Sequence, residues 1–309
     1  MKILQQLTDI TDYPHIFVAL GTFDGLHQGH QLIISRAVEL AREQKGTSVV
    51  FTFANHPLDV IAPERCPPLL LSEDAKAAII ADLGVDILIS IPFTKDFLRL
   101  TPGEFIAALM AYLRPVGIVV GPNYTFGHGG KGNPDVLRTA GRLQGFEVYV
   151  PPAVTINDRL ASSTLIRQLV AAGDVAEAAV YLGRRFFLRG RVVDGAKRGR
   201  DLGFPTANLA VDATMAMPAD GVYAVTVDYE GITRNGVANI GLTPTFNGGR
   251  RGLEVHILNF TGDLYGHELD IVFWTRIRGE RRFASPELLT DQIRADICQA
   301  LSLLPTSEK

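Results

Sequence analysis

Short apolar runs alternate with helix-like runs along the first half of the chain. The apolar runs have the length of single strands and are rich in Val, Ile and Phe, which suits strands buried on both faces. Such alternation predicts a parallel, doubly wound, Rossmann-like α/β sheet with ligands at the carboxyl ends of its strands. The predicted strands are residues 16–20, 47–53, 85–93, 116–121 and 146–150.

Helix patterns fill the segments between these strands. Ile33, Ala37, Leu40 and Ala41 recur at the spacing of one helix face. Three further helices are predicted from their start signals. These signals are Ser72 before residues 73–83, Thr101 with Glu104 before residues 105–113, and Asn133 with Pro134.

The second half changes to β segments separated by turn residues, with one helix at the end. Five or six antiparallel strands and a helix predict a small β-barrel. We place a helical connector at residues 171–183, between a first domain (1–170) and a second domain (184–309). The predicted strands are residues 186–193, 221–228, 232–240, 253–260 and 268–277, and the predicted helix is 285–304.

Composition is that of an ordinary globular protein large enough for two cores. The 309 residues are 47% hydrophobic and 20% charged, and the net charge of -3 gives no general attraction to nucleic acid or acidic membranes. Cys66 and Cys298 are too few for a disulfide framework. Neither a signal-peptide core nor a long apolar stretch is present, so we expect a cytoplasmic protein without membrane or nucleic-acid partners.

Residues 21–30, GTFDGLHQGH, form the first candidate site, in the turn between a strand and a helix. Gly25 and Gly29 let a phosphate approach the backbone at the positive end of the helix. His27 and His30 add donors that can bind phosphate and stabilise charge on phosphorus. A metal pair or simple turn polarity remains the alternative, although a zinc site needs a third protein ligand.

Two later segments carry compatible chemistry. Residues 162–167, SSTLIR, place hydroxyl groups at a helix start and Arg167 one turn further on, which suits a triphosphate; a plain N-cap with an exposed arginine is the alternative. Asn123 lies in a turn after another predicted strand, where it can simply be a turn former.

Together these motifs resemble the nucleotidyltransferases with an HxGH motif, and specifically the bacterial FAD synthetases. The resemblance implies that His27, His30 and Arg167 are catalytic, and that Asn123 and Phe126 bind the flavin. The chain departs from the family pattern at Leu165, where arginine is usual, and at Ala54-Asn55. ATP contacts are implied for Gly21, Phe23, Asp24, Gly29, Ser163 and Thr164.

The second domain has its own candidate site in residues 195–209 and 253–258. Thr206 and Asn208 offer neutral oxygens two residues apart, which can complete a Mg²⁺ shell with phosphates, but such residues are more often turn formers. Glu254 is a candidate base among apolar neighbours; an exposed glutamate on the outer face of the barrel is the alternative. The alternative for Lys197, Arg198 and Arg200 is a solvated basic loop, which is the usual fate of such a cluster.

This second region resembles the riboflavin kinases. The resemblance implies Mg²⁺ and ATP at Thr206 and Asn208, and Glu254 as the base that receives the hydroxyl proton of riboflavin. It also implies ATP contacts for Gly199, Arg200 and Gly203, and a lid or flavin contact for residues 278–283, including Arg278, with surface charge as the alternative.

Nearly the whole chain thus resembles the bacterial bifunctional riboflavin kinases and FAD synthetases. The resemblance implies riboflavin, FMN and ATP as small-molecule substrates, with Mg²⁺ as cofactor. A nucleotidyltransferase acting on another substrate explains only the first domain. A flavin carrier without turnover is the alternative from a different class.

Overall fold

The computed structural model describes residues 1–10, 13–195, 202–242 and 251–305. The chain divides into two compact units, Met1–Ser163 and Thr164–Lys309. This division falls at the start of the helix that contains Arg167, so the helices expected to end the first domain and form the connector belong to the second unit. The functional boundaries at residues 170 and 183 stay predictions.

The first unit is built on a six-stranded sheet in the order β1-β4-β3-β2-β5-β6, in which all neighbours are parallel. The predicted parallel sheet is confirmed. Lys2–Leu4, too short to show a periodicity, adds an edge strand that the sequence did not predict. The strands are β1 (Lys2–Leu4), β2 (Ile16–Leu20), β3 (Thr47–Phe53), β4 (Ile87–Ile91), β5 (Gly117–Val119) and β6 (Glu147–Tyr149).

The central strand β2 is buried along its whole length. The chain runs from β2 to β3 on one side, whereas β5 lies on the other side, so the strand order reverses between β2 and β5. Ligands of open α/β sheets bind at such a reversal, beyond the carboxyl ends of the strands. Two of the predicted site segments, the turn after β2 and the turn after β5, therefore share this edge.

In the described part of the first unit six α-helices accompany the sheet, and the expected caps are present. The Ser72 hydroxyl accepts from Ala75 N, Thr101 and Glu104 form a complete capping box, and Asn133 caps the sixth helix. Each such cap contributes about 1 kcal/mol to its helix. The helices are α1 (Gln28–Glu43), α2 (Pro57–Ile61), α3 (Glu73–Asp82), α4 (Lys95–Arg99), α5 (Pro102–Tyr112) and α6 (Pro134–Gln144); β7 (Thr155–Ile156) and β8 (Arg159–Leu160) form a small hairpin.

The second unit is a closed antiparallel barrel in the order β10-β13-β12-β11-β14-β9, which confirms the predicted barrel. Closure removes exposed strand edges. β10 was not predicted as a strand because its start lies in the loop-like segment around Thr206. The strands are β9 (Phe187–Val193), β10 (Ala207–Val211), β11 (Gly221–Tyr229), β12 (Ile232–Leu242), β13 (Arg251–Ile257) and β14 (Glu268–Arg278).

The helices described in this unit are α7 (Ser163–Ala172), α8 (Val175–Leu182) and α9 (Pro286–Leu303). α8 packs against β14, and α9 packs against β11, β12 and β14. The predicted C-terminal helix is therefore confirmed. Within the described residues, no helix combines the length and the apolar character needed to cross a membrane.

Candidate active sites

The chain makes a tight left-handed turn where β2 ends. Phe23 (φ 50°) and Leu26 (φ 42°) occupy the left-handed region, and Gly25 (φ 76°) lies between them. A Cβ on Gly21 would lie 2.7 Å from the Phe23 ring, so Phe23 can pack here only because residue 21 is glycine. Such strained backbone collects at functional sites. The turn ends at His27, which occupies the N-cap position of α1.

His27 and His30 stack on each other at this helix start. Their ring centroids are 3.7 Å apart with an interplanar angle of 24°. The edge of the His30 ring also meets Phe23, with centroids 5.3 Å apart. His27 is buried, and the buried Nδ1 of His30 has no hydrogen-bond partner among the residues that the structure describes.

The environment of His30 favours its neutral form. Burial lowers the pKa of His30 well below its ordinary value, and the neighbouring His27 lowers it further. Because both causes disfavour the imidazolium, the ring is neutral near pH 7. A neutral imidazole still has one N–H to donate. His30 can therefore bind a phosphate oxygen as a hydrogen-bond donor without carrying a full charge.

A cavity of about 760 Å³ opens beside the histidine pair. Its lining comes from the turn after β2, the turn after β5 and the ends of β3 and β4. The structure thereby brings together seven of the predicted site residues from separate parts of the first unit. They are Gly21, Phe23, His27, Gly29, His30, Asn123 and Phe126.

Aromatic rings form one side of this cavity. The Phe53 ring lies 5.0 Å from both Phe93 and Phe97, and Phe105 lies 5.3 Å from Phe126, measured between centroids. Sequence reasoning identified only Phe126 of these five. The sequence signal was weak: Phe53 and Phe93 are the last residues of two predicted strands. This arrangement suits a flat aromatic ligand.

The turn after β2 is hydrogen-bonded to Ser163, the last residue of the first unit. The hydroxyl of Ser163 donates to the main-chain carbonyl of Asp24 across 2.7 Å. The Asp24 carboxylate accepts from Leu70 N at 3.1 Å, so its side chain supports the turn. Thr164 and Arg167 follow on α7, where Thr164 is exposed and Arg167 is half-buried.

A buried lysine lies next to this turn. Lys76 Nζ donates to Phe53 O at 2.6 Å and lines a smaller pocket with Asp24 and His56. Burial lowers the pKa of Lys76, while the carboxylates of Glu73 and Asp24 act in the opposite direction. Lys76 was not identified from the sequence. Its hydrogen bond fixes the end of β3, where the aromatic side of the cavity begins.

In the barrel, Glu254 lies in a row of polar residues across three strands. It pairs directly with Asn208 on β10 and with Asn239 on β12, and directly paired residues share a face of the sheet. Leu253 and Val255 are buried in the barrel, so Glu254 is on the outer face. Asn239 was not identified from the sequence; only the strand register reveals it.

The segment before β10 folds against the same outer face. His256 Nδ1 lies 2.8 Å from the carbonyl oxygen of Pro205, and the Phe204 ring meets the His256 ring edge-on. A Cβ on Gly195 would collide with the Asn208 amide, so the main chain at Gly195 covers that side chain. Asn208 is consequently buried although it is polar.

Of four other predicted kinase residues, the structure describes two. Gly203 has φ 84°, a conformation that favours glycine in a turn. Thr206 is half-buried, immediately before β10. Gly199 and Arg200 lie outside the described residues.

Arg278 is held by the C-terminal helix. Its guanidinium forms a salt bridge with Asp296 on α9, with Nη2 2.8 Å from Oδ2 and Nε 3.0 Å from both carboxylate oxygens. Gln292 donates to the same carboxylate. The main observed role of Arg278 is therefore to join β14 to α9, and its flavin contact stays a prediction.

Comparison with known proteins finds a match for each unit. Residues 10–165 match the family model described as FAD synthetase, and residues 182–304 match that described as Riboflavin kinase. A protein named bifunctional riboflavin kinase/FMN adenylyltransferase from Pseudomonas fluorescens is 39% identical, with 93% of each chain covered. The chain belongs to this bifunctional family.

Other members of the family are similarly close. The bifunctional riboflavin kinase/FMN adenylyltransferase of Bacillus subtilis is 37% identical, covering 92% of this chain and 91% of its own. That of Escherichia coli K12 is 35% identical over 96% of both chains. A crystal structure titled macrolide-efflux protein, from Streptococcus pneumoniae, superposes with a TM-score of 0.88 at 34% identity, covering 98% of this chain and 99% of that chain.

The chain departs from the family pattern of the bifunctional riboflavin kinase/FMN adenylyltransferases at Ala54-Asn55 and at Leu165. The structure shows what Asn55 and Leu165 contact or pack against. Asn55 forms two hydrogen bonds with the main chain of Phe93, accepting from its N–H at 2.7 Å and donating to its carbonyl at 3.2 Å. It thereby fixes one of the cavity's aromatic residues. Leu165 is buried on the apolar side of α7.

Proposed function

We propose that this chain phosphorylates riboflavin to FMN in the barrel and adenylylates FMN to FAD in the first unit, with ATP as co-substrate of both reactions. The observation that carries the proposal is the stacked His27/His30 pair beside an aromatic cavity, in a chain that also aligns Glu254 with Asn208. The two sets of residues share no member, which suits two separate reactions.

In the first unit, the phosphate of FMN attacks the α-phosphorus of ATP. A new phosphorus–oxygen bond forms, the bond to the β-phosphate breaks, and pyrophosphate leaves. His27, His30 and the N–H groups of the first turn of α1 stabilise the charge on the reacting phosphate as hydrogen-bond donors. Arg167 provides a fixed positive charge for the polyphosphate. No covalent intermediate with the protein is required.

The cavity beside the histidines is where we propose that the isoalloxazine ring of FMN binds. Its volume of about 760 Å³ is within the range of cofactor sites. Phe126 and Tyr124 stack with centroids 5.7 Å apart and present flat apolar surface, and burial raises the pKa of Tyr124. Tyr124 therefore stays a neutral phenol beside the flavin. Asn123 supplies a neutral polar contact at the cavity surface.

In the barrel, the terminal hydroxyl of riboflavin attacks the γ-phosphorus of ATP, and ADP leaves. Glu254 receives the hydroxyl proton as the new bond forms. Thr206 and Asn208 would hold Mg²⁺: a hydroxyl and an amide are hard oxygen donors of the kind that Mg²⁺ binds together with phosphates. Bound Mg²⁺ would neutralise developing phosphate charge. Gly203 fits ATP contact in the same loop.

The first test is a time course with riboflavin, ATP and Mg²⁺, in which the flavins are separated by chromatography. We expect FMN to appear first and FAD to follow. His30→Ala should lower FAD formation from FMN at least ~100-fold, because a donor to the transition state is lost. Glu254→Gln should lower FMN formation at least ~100-fold, because the base is lost.

Each variant is the control for the other, since both retain the full chain. His30→Ala should make FMN at the parent rate, and Glu254→Gln should convert added FMN to FAD at the parent rate. Loss of both activities in either variant would contradict the assignment of separate sites. Bound flavin with no product from the parent protein would favour a carrier, and adenylylation of a different phosphate in place of FMN would favour another nucleotidyltransferase.

A further inference from the structure

His256 lies on β13 two residues after Glu254, so the two side chains share the outer face of the barrel. Its Nδ1 is 2.8 Å from the carbonyl oxygen of Pro205. A carbonyl oxygen can only accept, so Nδ1 carries the proton and donates it to this hydrogen bond. The contact fixes both the tautomer and the orientation of the ring.

The hydrogen-bonded carbonyl belongs to the peptide that leads directly into Thr206. The peptide unit is planar, so fixing the Pro205 carbonyl restricts the position of the Thr206 main chain. The paired residues of β10 and β13 begin at Ala207, which is opposite Val255. The hydrogen bond from His256 to Pro205 therefore joins β13 to the segment before β10, one residue beyond the last paired residues and next to Thr206.

Phe204 adds a second contact to the same imidazole. The two rings meet nearly perpendicularly, at 86°, with centroids 5.7 Å apart, which is a favourable edge-to-face geometry. Residues 204 and 205 are thus both held by His256. The segment that presents Thr206 is attached to the strand of Glu254 by one side chain.

We propose that His256 is a positioning residue of the kinase site, which holds the Thr206 oxygen in place for the Mg²⁺ of the ATP complex. The proposal rests on the proposed kinase function of Thr206, Asn208 and Glu254. His256 acts through the Pro205 carbonyl, and the proton of the reaction goes to Glu254. Its contribution is to the binding of Mg²⁺ with nucleotide.

The test compares two replacements in the full chain. His256→Leu removes the donor at similar size, whereas His256→Asn keeps an N–H donor near the place of Nδ1. The direct readout is hydrogen exchange of peptides spanning residues 202–211, measured with saturating ADP and increasing Mg²⁺. This readout is local to the barrel and requires no turnover.

We expect His256→Leu to raise the Mg²⁺ concentration for half-protection about tenfold, and His256→Asn to stay within about twofold of the parent. In the kinase assay, His256→Leu should raise the Mg²⁺ requirement and leave kcat at saturating Mg²⁺ within about threefold. Combined with Thr206→Ala, His256→Leu should cause no further change, because its effect passes through Thr206.

His267→Leu is the matched control. His267 also contacts a ring edge-on and hydrogen-bonds through Nδ1, but its partner is Tyr229. It should leave the Mg²⁺ dependence unchanged. If His256→Leu does not fold, as judged by Trp274 emission, His256→Ala takes its place, because alanine also has no side-chain donor.

Three results would overturn the proposal. They are a parent-like Mg²⁺ midpoint in His256→Leu, an equal defect in His256→Asn, and an undiminished effect in the Thr206→Ala background. A parent protein that forms no FMN would instead mean that the proposed kinase function is wrong. FAD formation from added FMN should be unchanged in every His256 variant, because the residues proposed for that reaction do not include Thr206, Asn208 or Glu254.

Discussion

The neutral state of His30 affects stability as well as phosphate binding. Burial and His27 lower the pKa of His30 in the folded protein, whereas an unfolded histidine titrates near its ordinary value. Below that value the unfolded chain binds a proton that the folded chain resists. His30 therefore reduces the stability of the first unit as the pH falls below about 6.5, and has no such effect at higher pH.

We expect His30→Asn to lessen this acid sensitivity. Between the ordinary histidine pKa and the lowered pKa, one excess proton on the unfolded state changes the free energy of unfolding by about 1.4 kcal/mol per pH unit. Thermal unfolding from pH 7.5 to 5, followed by circular dichroism, should show a smaller loss for the variant than for the parent. Trp274 emission identifies the transition of the barrel, which should not change. Parallel pH dependence of the two proteins would mean that His30 titrates normally.

At the scale of elements, the ion pair between Arg278 and Asp296 joins β14 to α9. The side chains are 13% and 3% exposed, so neither charge is well hydrated. Asp296→Ala leaves the arginine without its carboxylate, and should lower the free energy of unfolding by about 3 kcal/mol. The measurement is urea unfolding followed by Trp274, the only tryptophan of the chain.

Asp291→Ala on the same helix is the matched control. Its partner is Arg294, and both side chains are largely exposed, so the expected change is below about 1 kcal/mol. Replacing both members of the buried pair, by Arg278→Met with Asp296→Leu, should recover most of the stability lost in Asp296→Ala. An Asp296→Ala protein as stable as the parent would show that the ion pair does not hold the helix.

The elements themselves were largely predictable because their signals are local. Strand runs, the Ser72 and Asn133 caps and the Thr101–Glu104 capping box depend on residues a few positions apart. The site depends on longer separations. Asp296, which binds Arg278, and Asn239, which pairs with Glu254, are selected by tertiary packing and strand register, and the aromatic side of the cavity comes from separate segments that only the folded sheet brings together.

At the scale of the whole molecule, the two proposed reactions are consecutive: the product of the barrel is the substrate of the first unit. The predicted site residues of one reaction are all different from those of the other. A chain defective in FAD formation should therefore supply FMN to other chains, and a chain defective in FMN formation should use FMN that other chains release. FMN needs only to dissociate from the barrel that forms it.

We therefore expect His30→Ala and Glu254→Gln proteins, mixed with riboflavin, ATP and Mg²⁺, to produce FAD that neither makes alone. The first protein forms FMN, and the second adenylylates it after release. Chromatography should show free FMN during a lag, and the lag should match that of the parent at equal site concentrations, because in both cases FMN passes through solution. A lag in the mixture but none in the parent would contradict this, and would mean that FMN moves between sites without release.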